Sequence, residues 1–222
     1  MGKTAIILGA TGLTGGILLE QLIADSSYEK IKLFSRSSVA STSLKVEEYL
    51  VDLMQLELYK EQFIGDEVFC CIGTTALKTP DKIKYKAIDY GIPVNAAMLA
   101  KSNGIDTFIV LSSMGANSKS NLFYSKTKGQ MECDVLAQNV HHTFILRPSL
   151  IDGQRNEYRL GEKIGKIAMG ILNPFLIGDY KKYRSIHPGK IAKCMKIVAR
   201  SKTHEVFLDS DKILTIANSS AS

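Results

Sequence analysis

The chain has 222 residues, 45% of them hydrophobic, and a formal net charge of +6. This length favours one domain over 1–222, large enough to bury a proper core. No apolar run approaches the roughly 18 residues that span a membrane, and the dispersed lysines lack the basic and aromatic alternation typical of nucleic-acid binding.

The four cysteines have no metal-ligand spacing such as CxxC, so the sequence predicts neither a metal site nor a disulfide. Their surroundings are apolar, which is typical of buried thiols. A strand begins near residue 4, which leaves no room for a signal peptide. We therefore expect a cytoplasmic protein.

Apolar runs alternate with helical patterns along the chain, as in a parallel α/β sheet. Strands are predicted over 4–8, 30–34, 46–50, 67–71, 106–111, 142–146 and 204–208. Helices are predicted over 13–24, 53–60, 84–102, 121–138, 157–171 and 189–200. The sequence thus predicts a Rossmann-type, doubly wound parallel sheet with a core over about 1–150. A small C-terminal, substrate-side segment follows over about 151–222.

Ligands bind at the carboxyl ends of the strands in such sheets, which is where four loops are expected: 35–44, 72–83, 112–120 and 148–156. The first strand runs directly into glycines spaced three apart and then into a helix. Glycines let a phosphate approach the backbone, and the free N–H groups of a helix start attract its charge. The sequence predicts a dinucleotide site whose contacts are Gly9, Ala10, Thr11, Gly12, Leu13 and Thr14. We also expect a branched side chain at the second of these glycines to strain the backbone.

Arg36 follows the second strand, where NAD-binding proteins commonly have an acidic residue. A guanidinium pairs well with a 2′-phosphate, so this residue favours NADP(H). After the third strand, Asp52 either accepts a hydrogen bond from the adenine or caps the helix that begins at Leu53. After the fourth, Ile72 and Gly73 are expected to bring the backbone close to the cofactor ribose.

Ser112 and Ser113 follow the fifth strand, and Tyr124 and Lys128 come next on one face of a helix. A phenol is a weak base at neutral pH, but a nearby ammonium stabilises the phenolate. Tyr124 is therefore predicted to exchange a proton with a substrate oxygen, with Lys128 as its tuner and as a clamp on the nicotinamide ribose. One of the two serines is predicted to orient that oxygen.

These motifs together resemble the short-chain dehydrogenase/reductases of the atypical or extended kind, and most of all their Tat-interacting, oxidoreductase-like branch. The most specific stretches are CCIGTT at 70–75 and SSMGANSKSNLFYSKTKG at 112–129. The resemblance implies a Rossmann fold, NADPH binding and a Ser–Tyr–Lys site. It departs from the family at Asp89, where the family tetrad has an asparagine, and both serines of the pair fit the family serine, with Ser112 slightly favoured by its distance from Tyr124.

Three functions fit this pattern. The favoured one is an NADP-dependent oxidoreductase that moves a hydride between the nicotinamide and a small carbonyl or alcohol. The alternative is a regulatory protein that senses NADPH and acts through a protein partner, because a fold does not by itself imply catalysis. Isomerisation or epimerisation with a retained cofactor would use the same residues.

Overall fold

Seven parallel strands form one sheet, in the order β3-β2-β1-β4-β5-β6-β7. The structure is a computed structural model, and it describes residues 2–152, 185–201 and 205–219. The strands are β1 (Lys3–Leu8), β2 (Tyr28–Ser35), β3 (Val46–Leu50), β4 (Glu67–Cys70), β5 (Thr107–Leu111), β6 (His142–Arg147) and β7 (Phe207–Asp209).

Helices cover both faces of this sheet. They are α1 (Leu13–Ile23), a 3₁₀ helix (Leu53–Tyr59), α2 (Lys82–Lys86), a π turn (Ala87–Gly91), α3 (Ile92–Ser102), α4 (Phe123–Ala137), α5 (Pro188–Val198) and α6 (Ser210–Asn218). Successive side chains of a strand point to opposite faces, so Ile7 packs in one core with α1, α5 and α6. Ile6 packs in a second core with the 3₁₀ helix, α3 and α4. The doubly wound Rossmann-type fold is confirmed.

The strand order reverses between β1 and β4, which are neighbours in the sheet although two strands separate them in sequence. At such a reversal the connections leave toward opposite faces and open a crevice at the carboxyl ends of the strands. The loop that follows β1 and the loop that follows β4 meet there, because Cys71 N–H donates to Leu8 O at 2.9 Å.

The predicted helix over 84–102 is divided in the structure. Pro93 lacks the N–H that would bond to the carbonyl of Asp89, four residues earlier. The N–H of Ile92 instead reaches Ala87 O, five residues earlier, which widens the turn into a π turn. This turn carries Asp89 inward, where the residue is completely buried.

Three further elements differ from the prediction. The segment predicted as an α-helix over 53–60 is the 3₁₀ helix, with a non-helical residue at Gln55. The strand predicted over 204–208 is found as β7. The helix α6 was not predicted from the sequence, although Ile213 and Ala217 lie one turn apart on its buried side. The predicted helix over 157–171 lies outside the described residues.

Candidate active site

The turn after β1 has its tightest constraints at Gly9 and Gly15. Gly9 has φ +88°, and a Cβ there would lie 2.9 Å from the carbonyl oxygen of Cys71. A Cβ at Gly15 would lie 2.2 Å from the carbonyl oxygen of Gly9, so α1 packs directly on the turn. Gly12 has φ −87° and ψ 169°, an ordinary extended conformation. The expectation of backbone strain for a side chain at Gly12 is wrong, because positive φ belongs to Gly9.

Gly12 is the N-cap of α1, and it has no side chain to accept from the first N–H groups of the helix. These groups carry the positive end of the helix dipole and need an acceptor. No acidic residue lies in the first turn of α1 to compete for them. A dinucleotide pyrophosphate fits this arrangement, since it supplies both the acceptor oxygens and the negative charge.

A cleft of about 520 Å³ opens at the carboxyl ends of the strands and joins most of the predicted site residues. Its described lining comprises Thr11, Gly12, Leu13, Thr14, Cys71, Ile72, Gly73, Thr74, Thr75, Lys78, Asp89, Leu111, Ser112, Tyr124, Lys128 and Ile151. Gly9 and Ala10 form the base of the turn behind it, and Ala10 is 3% exposed. The structure thus brings the glycine turn, Gly73 and the Tyr–Lys pair to one cavity.

Besides Gly9 and Ala10, four predicted site residues do not line this cleft among the described residues: Arg36, Asp52, Leu53 and Ser113. Arg36 is exposed directly after β2. The carboxylate of Asp52 accepts from the N–H of Met54 at 3.0 Å and so caps the 3₁₀ helix, which was one of the two alternatives for it. Leu53 is 5% exposed and packs in the core.

A buried ion pair lies under the centre of the cleft. The Nζ of Lys128 is 2.8 Å from Oδ1 of Asp89, and both side chains are at least 96% buried. The other oxygen of Asp89 accepts from the N–H of Thr74 at 2.7 Å, which ties the loop after β4 to the π turn. A Cβ on Gly73 would lie 3.8 Å from Asp89 and 3.9 Å from Lys128, so Gly73 leaves the pair open to the cleft.

Tyr124 lies in the first turn of α4 and lines the cleft, and the residue is 43% exposed. Its ring meets that of Tyr85 edge to face, with the centroids 6.2 Å apart. Tyr85 is 2% exposed, and burial beside Asp89 and Tyr124 raises its pKa far above the ordinary phenol value. Tyr85 therefore remains a protonated phenol, and Tyr124 is the more accessible phenol at the cleft.

The structure separates the two candidate serines. The hydroxyl of Ser112 donates to Oε1 of Glu132 at 2.6 Å, and Arg147 holds both oxygens of the same carboxylate at 3.0 and 2.6 Å. The hydroxyl of Ser113 is buried and has no hydrogen-bond partner in the part of the chain that the structure describes. Ser112 lines the cleft and Ser113 does not. A serine hydroxyl has one proton to donate and two lone pairs, so Ser112 can still accept from a substrate hydroxyl while Glu132 holds its proton.

Sequence reasoning missed Glu132 and Arg147, which hold Ser112 from α4 and from the end of β6. Glu132 is 3% exposed, and this buried charge is paired and hydrogen-bonded, as buried charges must be. The pairing with Glu132 raises the pKa of Arg147. Glu132 lies four residues after Lys128 on the same helix face, and that spacing was the one available signal.

Other chemically reactive side chains play structural roles. Nδ1 of His187 accepts from the N–H of Gly189 at 3.1 Å and caps α5. Burial raises the pKa of Cys70 to about 11, and it raises the pKa of Cys71, which lines the cleft, still further. These thiols stay protonated at neutral pH and are poor nucleophiles.

Comparison with known proteins identifies the family. A family model described as "NAD(P)H-binding" matches residues 9–171 of the chain. The chain belongs to this NAD(P)H-binding family. Its resemblance to the atypical short-chain dehydrogenase/reductases of the Tat-interacting branch is confirmed by Protein HTATIP2 of Rattus norvegicus, which is 32% identical over 77% of this chain and 72% of its own length.

Two further members of the family come from yeasts. Protein FMP52, mitochondrial, of Candida albicans is 32% identical over 97% of this chain and 99% of its own length. The protein of the same name from Candida glabrata is 36% identical over 72% of this chain and 68% of its own length. These names overturn the expectation of a cytoplasmic protein, which rested on the N-terminal strand alone. No helix within the described residues has the length and apolar character of a membrane span.

Solved structures share the Rossmann fold of the family at low identity. MoeE5 in complex with UDP-glucose and NAD superposes with a TM-score of 0.67 and 14% identity, over 96% of this chain and 80% of that one. A UDP-glucose 4-epimerase from Thermotoga maritima superposes with a TM-score of 0.68 and 14% identity, over 96% and 81%. At this identity the likeness establishes the fold alone.

Proposed function

We propose that this protein is an NADP(H)-dependent oxidoreductase that transfers a hydride between the nicotinamide and a small carbonyl or alcohol substrate. One observation carries the proposal: the phosphate-binding turn, Tyr124 and Lys128 line the same cleft of about 520 Å³. If the turn served only to start α1, a phenol and an ammonium would not be needed in the same cleft. This combination supports proton transfer next to a bound dinucleotide.

The cofactor would lie along the carboxyl edge of the sheet. Gly9 and Gly15 keep the turn thin, and the N-terminus of α1 offers N–H groups to the pyrophosphate. Arg36 is exposed where the second strand ends. Its guanidinium is suited to pair with the 2′-phosphate of NADP(H). Gly73 lets the nicotinamide ribose approach Lys128, whose ammonium can donate to the ribose hydroxyls.

The chain's own contribution to the reaction is the proton. When bound, the dinucleotide supplies or accepts the hydride. Tyr124 holds the proton that reaches the substrate oxygen during reduction and takes it back during oxidation. Lys128 orients the ribose and stabilises the phenolate. Ser112 is the serine that lines the cleft, so we assign it to orient the substrate oxygen, with Glu132 and Arg147 holding its side chain in place.

The test is NADPH oxidation across a panel of carbonyl compounds, followed by the same assay on Tyr124→Phe. This variant should bind NADPH as tightly as the unmodified protein and should lose about 10²–10⁴-fold in turnover, the usual contribution of general acid–base catalysis. Tyr90→Phe is the matched control, because the Tyr90 hydroxyl donates to Asp134 on the outside of α4. Equal turnover in Tyr124→Phe and Tyr90→Phe would overturn the assignment.

A second candidate is a non-catalytic NADPH sensor that acts through a protein partner. The Asp89–Lys128 pair favours it, because the carboxylate offsets the charge that Lys128 would otherwise direct at Tyr124. The same panel separates the two functions. Tight NADPH binding without oxidation by any carbonyl, and without an effect of Tyr124→Phe, would favour the sensor.

A further inference from the structure

An apolar groove lies on the outer face of α2, the π turn and the start of α4. Its lining comprises Lys82, Ile83, Lys86, Ala87, Tyr90 and Phe123. Ile83 is 84% exposed, and Leu122, which directly precedes Phe123 in the chain, is 70% exposed. Large aliphatic side chains this exposed are costly in water and commonly mark a contact surface when they cluster. We call this surface, together with Leu122, the α2–α4 patch.

Lysines frame the apolar centre of the patch. The ammonium of Lys82 lies 5.6 Å from the ring centroid of Phe123, and that of Lys86 lies 5.1 Å from the ring centroid of Tyr90. Neither lysine forms an ion pair with any carboxylate of the described residues. Their stems extend the apolar surface while their charges remain free.

The surrounding segments are one-sided in charge. Residues 74–90 and 117–128 contain the lysines Lys78, Lys82, Lys84, Lys86, Lys119, Lys126 and Lys128. Only two carboxylates occur in these segments, and a third, Asp134 farther along α4, accepts from the hydroxyl of Tyr90 at 2.6 Å. Asp89 is buried against Lys128, and Asp81 accepts from the N–H groups of Ile83 and Lys84 at the start of α2. The patch therefore presents positive charge around an apolar centre.

From this charge and exposure we propose that the α2–α4 patch docks on an anionic lipid bilayer surface. Lysine ammonium groups would lie at the lipid phosphates, and Ile83, Leu122 and Phe123 would enter the interface between headgroups and acyl chains. A protein partner with an acidic rim is the competing occupant, but it would need carboxylates placed opposite these lysines. A bilayer can place lipid phosphates opposite lysines at any spacing. It therefore fits a patch that is built from two separate elements, the short helix α2 and the start of α4.

The position of the patch links docking to the cleft. Phe123 and Leu122 immediately precede Tyr124, which stands at the cleft rim, and Lys78 lines the cleft itself. Docking would therefore hold the mouth of the cleft close to the lipid surface. The proposal goes beyond the oxidoreductase assignment and does not depend on it, because lipid binding is measured without cofactor or substrate.

The first experiment is co-sedimentation of the full chain with two kinds of vesicle, phosphatidylcholine alone and phosphatidylcholine mixed with the anionic lipid phosphatidylserine. Binding is expected only to the anionic vesicles, and it should weaken when salt is raised because the charges are screened. Lys82→Glu/Lys86→Glu should weaken binding by at least about 25-fold, since each lysine near such a surface contributes about fivefold.

The matched control is Lys60→Glu/Lys101→Glu, which changes the net charge equally at exposed positions outside the patch. It should bind anionic vesicles within a few-fold of the unmodified protein. An equal loss in this control would mean that overall charge, rather than the patch, drives binding. Equal binding to neutral and anionic vesicles, or unchanged binding in Lys82→Glu/Lys86→Glu, would overturn the proposal.

A second measurement reports the docked surface directly. The chain contains no tryptophan, so Leu122→Trp introduces a single fluorescent reporter at the patch. Its emission should shift to shorter wavelength with anionic vesicles, because the indole leaves water. Leu44→Trp, at a fully exposed position in the loop before β3, should not shift.

The competing occupants give different results. If Ile83→Ser/Leu122→Ser converts a dimer to a monomer in sedimentation analysis and no variant binds vesicles, then the patch is an interface between copies of this chain. If the protein binds no vesicle and remains monomeric, the patch does not face lipid. Either result overturns the proposal.

Discussion

The carboxylate of Asp89 lies 2.8 Å from the ammonium of Lys128, and Gly73 is the residue that leaves this pair open to the cleft. The pair therefore belongs to the site as well as to the core. It holds Lys128 in place before any ligand arrives, and it anchors the loop after β4 through the N–H of Thr74. Removing either charge would leave the other one buried without a partner.

The interaction energy between Asp89 and Lys128 can be measured by a double-mutant cycle. Asp89→Asn and Lys128→Met should each lower the free energy of unfolding by about 3–5 kcal/mol, because each leaves an uncompensated buried charge. The double variant should lose clearly less than the sum of the two. Denaturant unfolding measures all four proteins.

The exposed pair of Lys30 and Glu47 provides the control for that cycle. Their side chains are 52% and 42% exposed, and their charged atoms are 3.1 Å apart. Removing this pair should cost less than about 1 kcal/mol. The coupling would be contradicted if Asp89→Asn and Lys128→Met changed the free energy of unfolding additively and by amounts as small as those at Lys30 and Glu47.

Two glycines in different surroundings, Gly15 in the first turn of α1 and Gly91 at the end of the π turn, should respond in opposite ways to alanine. Gly15→Ala should weaken NADPH binding and lower stability, since its Cβ would lie 2.2 Å from the carbonyl oxygen of Gly9. Gly91→Ala should raise stability by about 0.4–1 kcal/mol, because Gly91 has helical φ/ψ and nothing lies within 4 Å of its added Cβ. Thermal unfolding and NADPH titration test both variants. Normal NADPH affinity in Gly15→Ala would mean that the turn does not hold the phosphates.

Cofactor preference provides a separate test of Arg36. Arg36→Ala should weaken NADPH binding by about ten- to a hundredfold, the equivalent of one charge-assisted contact. NADH has no 2′-phosphate, so Arg36→Ala should bind NADH as tightly as the unmodified protein does. NADH binding by the same variant is therefore the control. Calorimetric titration with both cofactors measures the preference. An unchanged ratio of the two affinities would remove Arg36 from the site.

The strands and the glycine turn were predictable because their signals are local. A run such as Ala5 to Leu8, buried on both faces, reads directly as a central strand. The position of Asp89 was predictable only as a departure from the family. Its inward orientation depends on the π turn, which follows from the missing N–H of Pro93 and from packing against α4.

The contacts of Ser112 were not predictable for another reason. Its partner Glu132 is 20 residues away along the chain, and Arg147 is 15 residues beyond that partner. No local pattern encodes such a meeting, because it depends on how β5, α4 and β6 pack. The sequence thus placed the serine pair at the right strand end but left the roles of its two members open.

The two serines should separate when each is replaced by alanine. Ser112→Ala removes the donor to a buried carboxylate, so it should lower the free energy of unfolding by about 1.5–3 kcal/mol. Its cost in stability comes from the lost hydrogen bond to Glu132. Ser113→Ala should change stability by no more than about 0.5 kcal/mol, because its hydroxyl has no partner among the described residues.

Turnover should show the same order. Ser112→Ala should lower the turnover of an accepted carbonyl by about 10²–10³-fold, the usual cost of losing one group at the reacting oxygen, whereas Ser113→Ala should change it by less than about tenfold because Ser113 does not line the cleft. NADPH affinity should not change, and Ser112→Thr should restore part of the rate because it keeps a hydroxyl. Single-turnover NADPH oxidation and denaturant unfolding, applied to all three variants, test the assignment. Normal turnover in Ser112→Ala, with a severe loss in Ser113→Ala, would transfer the orienting role to Ser113.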